Sequence, residues 1–133
     1  MEKSYIKENR IIATCALFMS FVIYIMTMAP TTSFWDCGEF IATSFTMGVP
    51  HPPGSPLYLL LGNVFSQIPT FDDVGARVNL MSPLVSAFSI MFLYLITVYL
   101  IEEFRGITSN FSDAIINFGS ALIGAMTFAV TDS

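Results

Sequence analysis

Three long stretches without a charged side chain constrain this chain more than any other feature. They cover residues 11–29, 80–101 and 114–131. Each approaches the ~20 apolar residues that an α-helix needs to cross the hydrocarbon core of a membrane. Only 11% of all residues are charged, whereas soluble domains carry about 25%. The chain is therefore predicted to be an all-α integral membrane protein with about three transmembrane helices.

The basic residues around these stretches predict the orientation of the helices. The cations before the first stretch are Lys3, Lys7 and Arg10. Because basic residues in short connections stay in the cytoplasm, they place the N-terminus there. Alternation then puts residues 30–79 and Asp132 outside and residues 102–112 inside. Arg105 agrees with this topology and Arg77 does not, so the positive charges favour it by a clear margin.

A cleaved secretory signal is the alternative interpretation of the first stretch. Residues 11–29 exceed the roughly 7 to 15 apolar residues of a signal core. The one plausible cleavage point, after Ala29, is followed by Pro30. An uncleaved membrane anchor is therefore the better interpretation.

The external connection, residues 30–79, divides at its prolines into short helical pieces. Apolar residues recur at roughly helical spacing over residues 33–49. Residues 50–56, PHPPGSP, cannot continue that helix, because each proline lacks an N–H and restricts the residue before it. Residues 57–68 are apolar but too short to span a membrane. We expect short interfacial helices joined by a stiff turn.

Asp36 and Glu39 are the candidate catalytic residues. They are three apart, which places them on one face of a helix, and Trp35 and Phe40 flank them. One carboxylate could take a proton while the other orients it or holds a metal, beside an apolar wall that raises a pKa. The structural alternative is a capping box, either from Ser33 to Asp36 or one turn later from Asp36 to Glu39, in which the acids only satisfy main-chain amides. The residues alone leave both alternatives open.

His51 and Arg77 are the other candidates. The neighbouring prolines restrict the backbone of His51, which suits a ligand or a phosphate contact, although a solvated turn histidine is the commoner case. Arg77 is the one cation in residues 30–79 and could bind an anionic headgroup. Its alternative partner is Asp73, which with Asp72 is also a candidate N-cap. A zinc site made by these residues alone is not expected, because no second histidine is present.

Short sequence strings carry a resemblance to a known family. They are FWDCGEF at residues 34–40, HPPGSPL at residues 51–57 and RVN at residues 77–79. Together they resemble the N-terminal region of a bacterial membrane domain-of-unknown-function family, whose animal relatives are transmembrane protein O-mannosyltransferases of the C-type glycosyltransferase (GT-C) superfold. The resemblance covers about residues 10–133. It implies a cytoplasmic lead, residues 1–10, and the N-terminal fragment of a polytopic glycosyltransferase-like domain, residues 11–133.

The same resemblance implies a reaction and residue roles. A sugar, such as mannose, is transferred from a polyprenyl phosphate to an acceptor hydroxyl, such as a protein Ser or Thr, at the external membrane face. In the superfold the catalytic carboxylate lies in the first external loop, where this chain has Asp36 and Glu39. Asp36 is expected to be the base and Glu39 its orienting or metal-binding partner. Substrate binding falls to Trp35, His51 and Arg77, the last two on the phosphate side. The fragment alone is expected to be inactive.

The implied partners are the polyprenyl-phosphate sugar donor, an acceptor protein or glycan, and membrane lipid. Nucleic acid is excluded because the chain has no basic patch. A divalent metal is the one cofactor left open, and the implied location is the bacterial inner (cytoplasmic) membrane. A transporter and a non-catalytic scaffold remain alternatives, although transporter acids normally lie within the spans.

Overall fold

A computed structural model describes residues 5–52 and 54–131, and this part of the chain is helical. Its elements are α1 (Ile6–Thr27), α2 (Cys37–Thr46), α3 (Pro56–Gln67), α4 (Val74–Asn79), α5 (Met81–Arg105) and α6 (Phe111–Val130). Three stretches are long and apolar enough to cross a membrane, namely Ile6–Thr27, Val74–Arg105 and Phe111–Val130. The predicted all-α class with three spans is confirmed.

The helix ends extend beyond the uncharged stretches. α1 begins at Ile6 and so includes Lys7 and Arg10, while α5 runs on to Arg105. Long charged side chains at a helix end can reach out of the apolar layer, so the helix need not stop where the apolar sequence does. Three residues that entered the sequence interpretation, Lys3, Pro53 and Asp132, lie outside the described residues.

The chain divides into two compact units. The first, here called the span unit, comprises Met1–Tyr24 and Ser86–Ser133. The second, here called the loop unit, comprises Ile25–Val85 and contains α2, α3 and α4. All of the predicted site residues therefore fall in the loop unit.

Small side chains build the core of the span unit. The buried residues of its cluster are Ala13, Ile90, Tyr94, Val98, Ala114, Phe118, Ala121, Ala125 and Ala129. Those on α6 recur every three or four residues and so share one helix face. Alanine at such positions lets helix backbones approach closely in a membrane. The Tyr24 hydroxyl adds a hydrogen bond of 3.1 Å to the Ala129 carbonyl.

Gly62 sets the approach of α3 to α2 in the loop unit. A Cβ at this position would lie 2.6 Å from the Ser44 hydroxyl oxygen. The adjacent Asn63 side chain donates to the carbonyls of Ser44 at 2.9 Å and Phe45 at 3.3 Å. Carbonyls in the last turn of a helix lack intrahelical partners. Asn63 therefore caps α2, which ends at Met47 in a left-handed conformation with φ of 54°.

Asp73 and Asn79 connect the two ends of α4 to the segment that leads into α2. Asp73 is the N-cap of α4, as predicted: Oδ1 accepts from the Ala76 N–H at 2.9 Å, and Oδ2 accepts from the Thr31 hydroxyl at 3.3 Å. The Asn79 amide donates to the carbonyls of Ala29 at 3.1 Å and Thr31 at 2.9 Å. These bonds fix the residues that immediately precede the candidate site.

Candidate functional site

Asp36, Glu39 and His51 form one cluster, here called the acid–histidine cluster. The His51 backbone N–H donates to Glu39 Oε1 at 2.8 Å, and His51 Nδ1 lies 2.7 Å from Glu39 Oε2. On the other side of the ring, His51 Nε2 lies 3.8 Å from Asp36 Oδ2. The structure thus brings His51, which the sequence singled out separately, to the predicted pair of Asp36 and Glu39.

The start of α2 presents both acids. The helix begins at Cys37, so Asp36 occupies the N-cap position and Glu39 lies in the first turn. The Asp36 side chain makes no capping hydrogen bond, and both Glu39 oxygens contact His51. The capping box from Ser33 to Asp36 is therefore wrong, because the helix starts after Asp36. The capping box from Asp36 to Glu39 is also wrong, because Asp36 makes no capping bond and Glu39 contacts His51. The two carboxylates therefore do not cap the main-chain N–H groups at the start of α2.

A tight turn holds His51 against Glu39. The Gly54 N–H donates to the His51 carbonyl at 3.1 Å, and Gly54 has a φ of +71°, a conformation that glycine adopts at no steric cost. Pro52 within the turn fixes its own φ. Because the backbone is stiff here, one residue can offer both its N–H and its ring to a single carboxylate.

Hydrogen bonding in the cluster shifts two pKa values in opposite directions. The bond from the His51 ring, aided by the His51 backbone N–H, holds the pKa of Glu39 below its usual 4.5. The same side-chain bond, with the charges of Glu39 and Asp36, raises the pKa of His51 above its usual 6.5. Since a carboxylate only accepts, the shared proton sits on Nδ1 and Nε2 is the nitrogen that faces Asp36.

The cluster is open to its surroundings. Exposed side-chain fractions are 61% for Asp36, 48% for His51 and 39% for Glu39. Asp36 is the more accessible acid and has the looser contact with the imidazole. It is therefore the carboxylate with free capacity to accept a proton from a bound molecule.

Phe40, rather than Trp35, supplies the aromatic wall of the cluster. The Phe40 ring meets His51 edge-on with centroids 6.0 Å apart and Tyr58 with centroids 5.6 Å apart. Burial raises the pKa of Tyr58. Trp35 is 96% exposed and holds a left-handed φ of +63°. Sequence reasoning missed Tyr58, although its position in the first turn after the HPPGSP string was a usable signal.

Arg77 binds main-chain carbonyls in the loop unit. Its guanidinium donates to the carbonyl of Phe71, to that of Ser66 at 3.3 Å and to that of Asp72 at 3.5 Å. Among the described residues the ion pairs belong to His51, so the salt bridge to Asp73 considered above does not form. Arg77 stabilises the connection before α4, and its phosphate-binding role stays a prediction.

Asn79 is a positioning residue that sequence reasoning treated only as part of the RVN string. Its Oδ1 accepts a long hydrogen bond of 3.9 Å from the thiol of Cys37, which is the residue after Asp36. Its amide holds the incoming segment through the Ala29 and Thr31 carbonyls. Asn79 thereby fixes the backbone from which Asp36 projects.

The cluster could contribute to a metal site. Ligand atoms of Asp36, Glu39 and His51 all lie within 4.8 Å of one another. Glu39 already orients the imidazole through Nδ1, as carboxylates commonly do behind a histidine ligand. This arrangement leaves His51 Nε2 and Asp36 as direct ligands, one fewer than the three protein ligands of typical catalytic zinc sites. The cluster fits a metal ion if a further ligand completes the set.

A family model described as the Protein O-mannosyl-transferase TMEM260 N-terminal domain matches residues 36–133. The chain belongs to this family. The match begins at Asp36 and so includes the whole acid–histidine cluster, whereas α1 lies before it. The matched part is shorter than the 10–133 expected from the sequence strings.

Two relatives show the extent of the similarity. Protein O-mannosyl-transferase tmem260 of Dictyostelium discoideum is 39% identical over 98 residues, which cover 71% of this chain and 12% of the relative. Protein O-mannosyl-transferase TMEM260 of Mus musculus is 34% identical over 72 residues, or 54% of this chain and 10% of the relative. The chain thus spans only a small part of these relatives. No solved structure matches it. The bacterial origin stays a prediction.

Proposed function

We propose that this chain belongs to a membrane glycosyltransferase that moves a sugar from a polyprenyl-phosphate donor to a protein Ser or Thr hydroxyl at the external membrane face. The names of the relatives point to mannose as the sugar. The observation that carries the proposal is the accessible Asp36 carboxylate, which does not cap its own helix and lies beside a fixed Glu39–His51 pair.

Asp36 is the proposed general base. As the acceptor oxygen attacks the anomeric carbon of the sugar, its proton passes to the Asp36 carboxylate. The bond between the anomeric carbon and the phosphate oxygen breaks, and its electron pair leaves with the phosphate as polyprenyl phosphate. A positioned base of this kind contributes about 10²–10⁴ in rate.

His51 belongs on the side of the base in this mechanism. Inverting transfer needs the base and the leaving group on opposite faces of the sugar, and the two carboxyls of inverting glycosidases are about 6.5–9.5 Å apart. His51 Nε2 is only 3.8 Å from Asp36, so the two cannot lie across a sugar ring. We therefore assign His51, held by Glu39, to positioning Asp36 rather than to the phosphate side.

The phosphate then needs positive charge from outside the cluster. Arg77 is the candidate in the loop unit, but reaching a phosphate would require its guanidinium to give up one or more of the carbonyls of Phe71, Ser66 and Asp72. A metal ion on Asp36 and His51 is the second candidate, favoured by the closeness of their ligand atoms. In that case the ion would supply the charge at the phosphate, and Asp36 could not serve as the free base.

The lengths of the loop-unit helices support a reaction at the membrane surface. α2 has 10 residues and α3 has 12, both too short to cross the hydrocarbon layer. The isoprenoid tail of the donor stays in that layer, so its phosphate lies at headgroup depth. We propose that the acid–histidine cluster lies at the same depth, on the external face, with the N-terminus in the cytoplasm.

The activity is tested with the full-length protein in liposomes that contain mannosyl-phosphoryl polyprenol with a labelled sugar. We expect labelled mannose to appear on an acceptor peptide and to be released by β-elimination, which marks a Ser or Thr linkage. Uptake of the lipid-linked sugar without transfer would instead indicate a transporter. A chelator that abolishes transfer, with rescue by a divalent ion, would favour the metal-bound arrangement over the free base.

The orientation is tested separately by cysteine labelling. Ala42 and Ser109 are both exposed and lie on either side of the second span, so each is replaced by cysteine after the native Cys15 and Cys37 are changed to serine. A membrane-impermeant maleimide added from the external side should label position 42 and not position 109. The reverse pattern would invert the proposed topology.

A further inference from the structure

The span unit contains a cavity of about 250 Å³ with both polar and apolar side chains in its lining. Side chains that line it include Tyr5, Asn9, Glu102, Thr108 and Phe118. Since a water molecule takes up about 30 Å³ in the liquid, the cavity has room for a small polar group rather than for a single water. None of these residues takes part in the proposed transfer.

Two acceptors in this cavity have unused capacity. Asn9 Oδ1 is buried and has no hydrogen-bond partner among the described residues. Glu102 Oε1 accepts from the Thr108 N–H at 3.2 Å, but the ion pairs in the described part of the chain both belong to His51. Within residues 5–52 and 54–131, the cavity is therefore lined by a carboxylate with no ion-pair partner and an amide oxygen with no donor.

A buried network fixes the position of Glu102. Arg105, the cation closest to it in sequence, donates to Asn117 Oδ1 at 3.2 Å. The Asn117 amide donates to the Thr108 hydroxyl at 3.0 Å, and Thr108 and Asn117 are only 2% and 3% exposed. Thr108 in turn holds the Glu102 carboxylate. The site is thus built before any ligand arrives.

We propose that this cavity binds a primary ammonium group from the headgroup of an aminophospholipid. A carboxylate with no ion-pair partner and an amide oxygen with no hydrogen-bond donor, both judged among the described residues, suit a cation that carries N–H groups. A primary ammonium has three such donors, whereas a quaternary one has none. The rings of Tyr5 and Phe118 at the cavity also suit a cation, because aromatic faces attract positive charge.

The position of the cavity along the helices favours a lipid as the source of the ammonium. Asn9 lies near the start of α1, Glu102 in the last turn of α5, and Thr108 just before α6. All three helices are long and apolar enough to span a membrane. Their ends therefore lie where the hydrocarbon gives way to headgroups. A free amine in solution is the other source, and the test distinguishes the two.

The test uses the full-length protein in vesicles that contain equal amounts of phosphatidylethanolamine and phosphatidylcholine, followed by native mass spectrometry of the retained lipids. Hydrogen bonds to charged groups typically correspond to about tenfold or more in affinity. We expect a preference of that order for phosphatidylethanolamine. Glu102→Gln should remove it, while the matched control Glu103→Gln, at an exposed position of the same turn, should keep it.

A second variant guards against misfolding. Asn9→Leu removes the amide oxygen, keeps the number of side-chain heavy atoms and leaves Glu102 intact. This variant should also lose the preference for phosphatidylethanolamine, while its thermal unfolding temperature stays near that of the wild type. Equal retention of the two lipids by the wild type would overturn the proposal, as would an unchanged preference in Glu102→Gln. If the two lipids are retained equally and soluble ethanolamine stabilises the protein, the cavity binds a free amine. That result would also overturn the proposal of a lipid ligand.

Discussion

Different kinds of contact stabilise the interior of each of the two units. In the middle of its helices the span unit packs alanines against larger apolar side chains. The loop unit instead depends on single polar side chains that bind main-chain carbonyls, those of Asn63, Arg77 and Asn79. A packed apolar interface tolerates many sequences of similar volume. A hydrogen bond from a side chain to one particular carbonyl tolerates few substitutions, since its loss leaves a polar group unpaired.

This contrast explains why the candidate chemistry lies in the loop unit. Catalytic groups need fixed positions together with access to a substrate, and irregular segments give access only if something else holds them. Here Asn79 and Asp73 hold the segment that leads to Asp36, and the turn at Gly54 holds His51. If this contrast holds, the two units should respond to substitution in the different ways that it requires.

The largest effect is expected for Asn79→Ala in the loop unit. The change removes the hydrogen bonds to the Ala29 and Thr31 carbonyls, and a net cost of about 2–3 kcal/mol follows from two bonds and the carbonyls left unpaired. Thermal unfolding of the full-length protein measures it. Labelling of Cys37 by a maleimide, in a Cys15→Ser background, should also become faster, because Asn79 Oδ1 no longer accepts from that thiol.

The matched control for Asn79→Ala is Thr70→Ala. Thr70 is exposed and its backbone bond to Ile68 survives the substitution. If Asn79→Ala has the same melting temperature as Thr70→Ala and Cys37 reacts no faster, the stability of the loop unit does not depend on the Asn79 side chain.

A somewhat smaller effect is expected for Ala121→Leu in the span unit. Ala121 is fully buried in the face that α6 presents to its neighbours, so the added atoms must push the helices apart. Overpacking of this kind costs about 1–3 kcal/mol. Thermal unfolding measures the loss, and Ile123→Leu at an exposed position is the control. Equal stability of the two variants would contradict close packing at Ala121.

Asp73→Ala should cost about 1 kcal/mol, the usual value for loss of an N-cap side chain. The cap bond to the Ala76 N–H and the contact with Thr31 both disappear. Asp72→Ala is the control, because Arg77 binds the main-chain carbonyl of Asp72, which the substitution keeps. The difference in melting temperature between the two variants measures the combined loss of the cap and of the Thr31 contact, and no difference would argue against both.

The smallest effect is a pH dependence of loop-unit stability. His51 has a raised pKa, so its contribution is complete below pH 6.5 and is lost as the pH rises through the raised value. Glu39 has a lowered pKa, so its contribution is present above pH 4.5 and is lost as the pH falls through the lowered value. The pair should therefore stabilise the loop unit most between about pH 4.5 and 6.5.

The effect is measured by the melting temperatures of the wild type and of Glu39→Gln, from below pH 4.5 to above pH 6.5. The wild-type advantage should shrink on both sides of the window. A constant difference at all pH values would mean that the two side chains are not coupled in solution.

The sequence predicted the helices well because apolar length is a strong signal. The three spans and the two short helices between them follow from uncharged runs and prolines. The start of α2 was harder to predict: Ser33 fits a capping pattern, but the left-handed Trp35 delays the helix until Cys37. Local pattern alone does not show which of several possible caps the tertiary contacts favour.

The candidate site could be predicted only as a set of residues. Asp36, Glu39 and His51 were singled out from their types and neighbours, but their mutual contact depends on how the turn at His51 folds back onto α2. Arg77 was expected to bind a phosphate or pair with Asp73. The structure gives it carbonyl partners in place of Asp73, and the phosphate contact stays a prediction. Such partners are invisible in sequence, because every residue has a carbonyl.

Asp36 as the general base is tested most directly by the rate of sugar transfer by full-length Asp36→Asn, measured at saturating lipid-linked donor and compared with Asp72→Asn. The amide keeps the shape of the side chain and cannot accept the proton, so the rate should fall by about 10²–10⁴ while donor binding and thermal unfolding stay unchanged. If Asp36→Asn transfers sugar as fast as Asp72→Asn, Asp36 is not the base and the proposed mechanism is wrong.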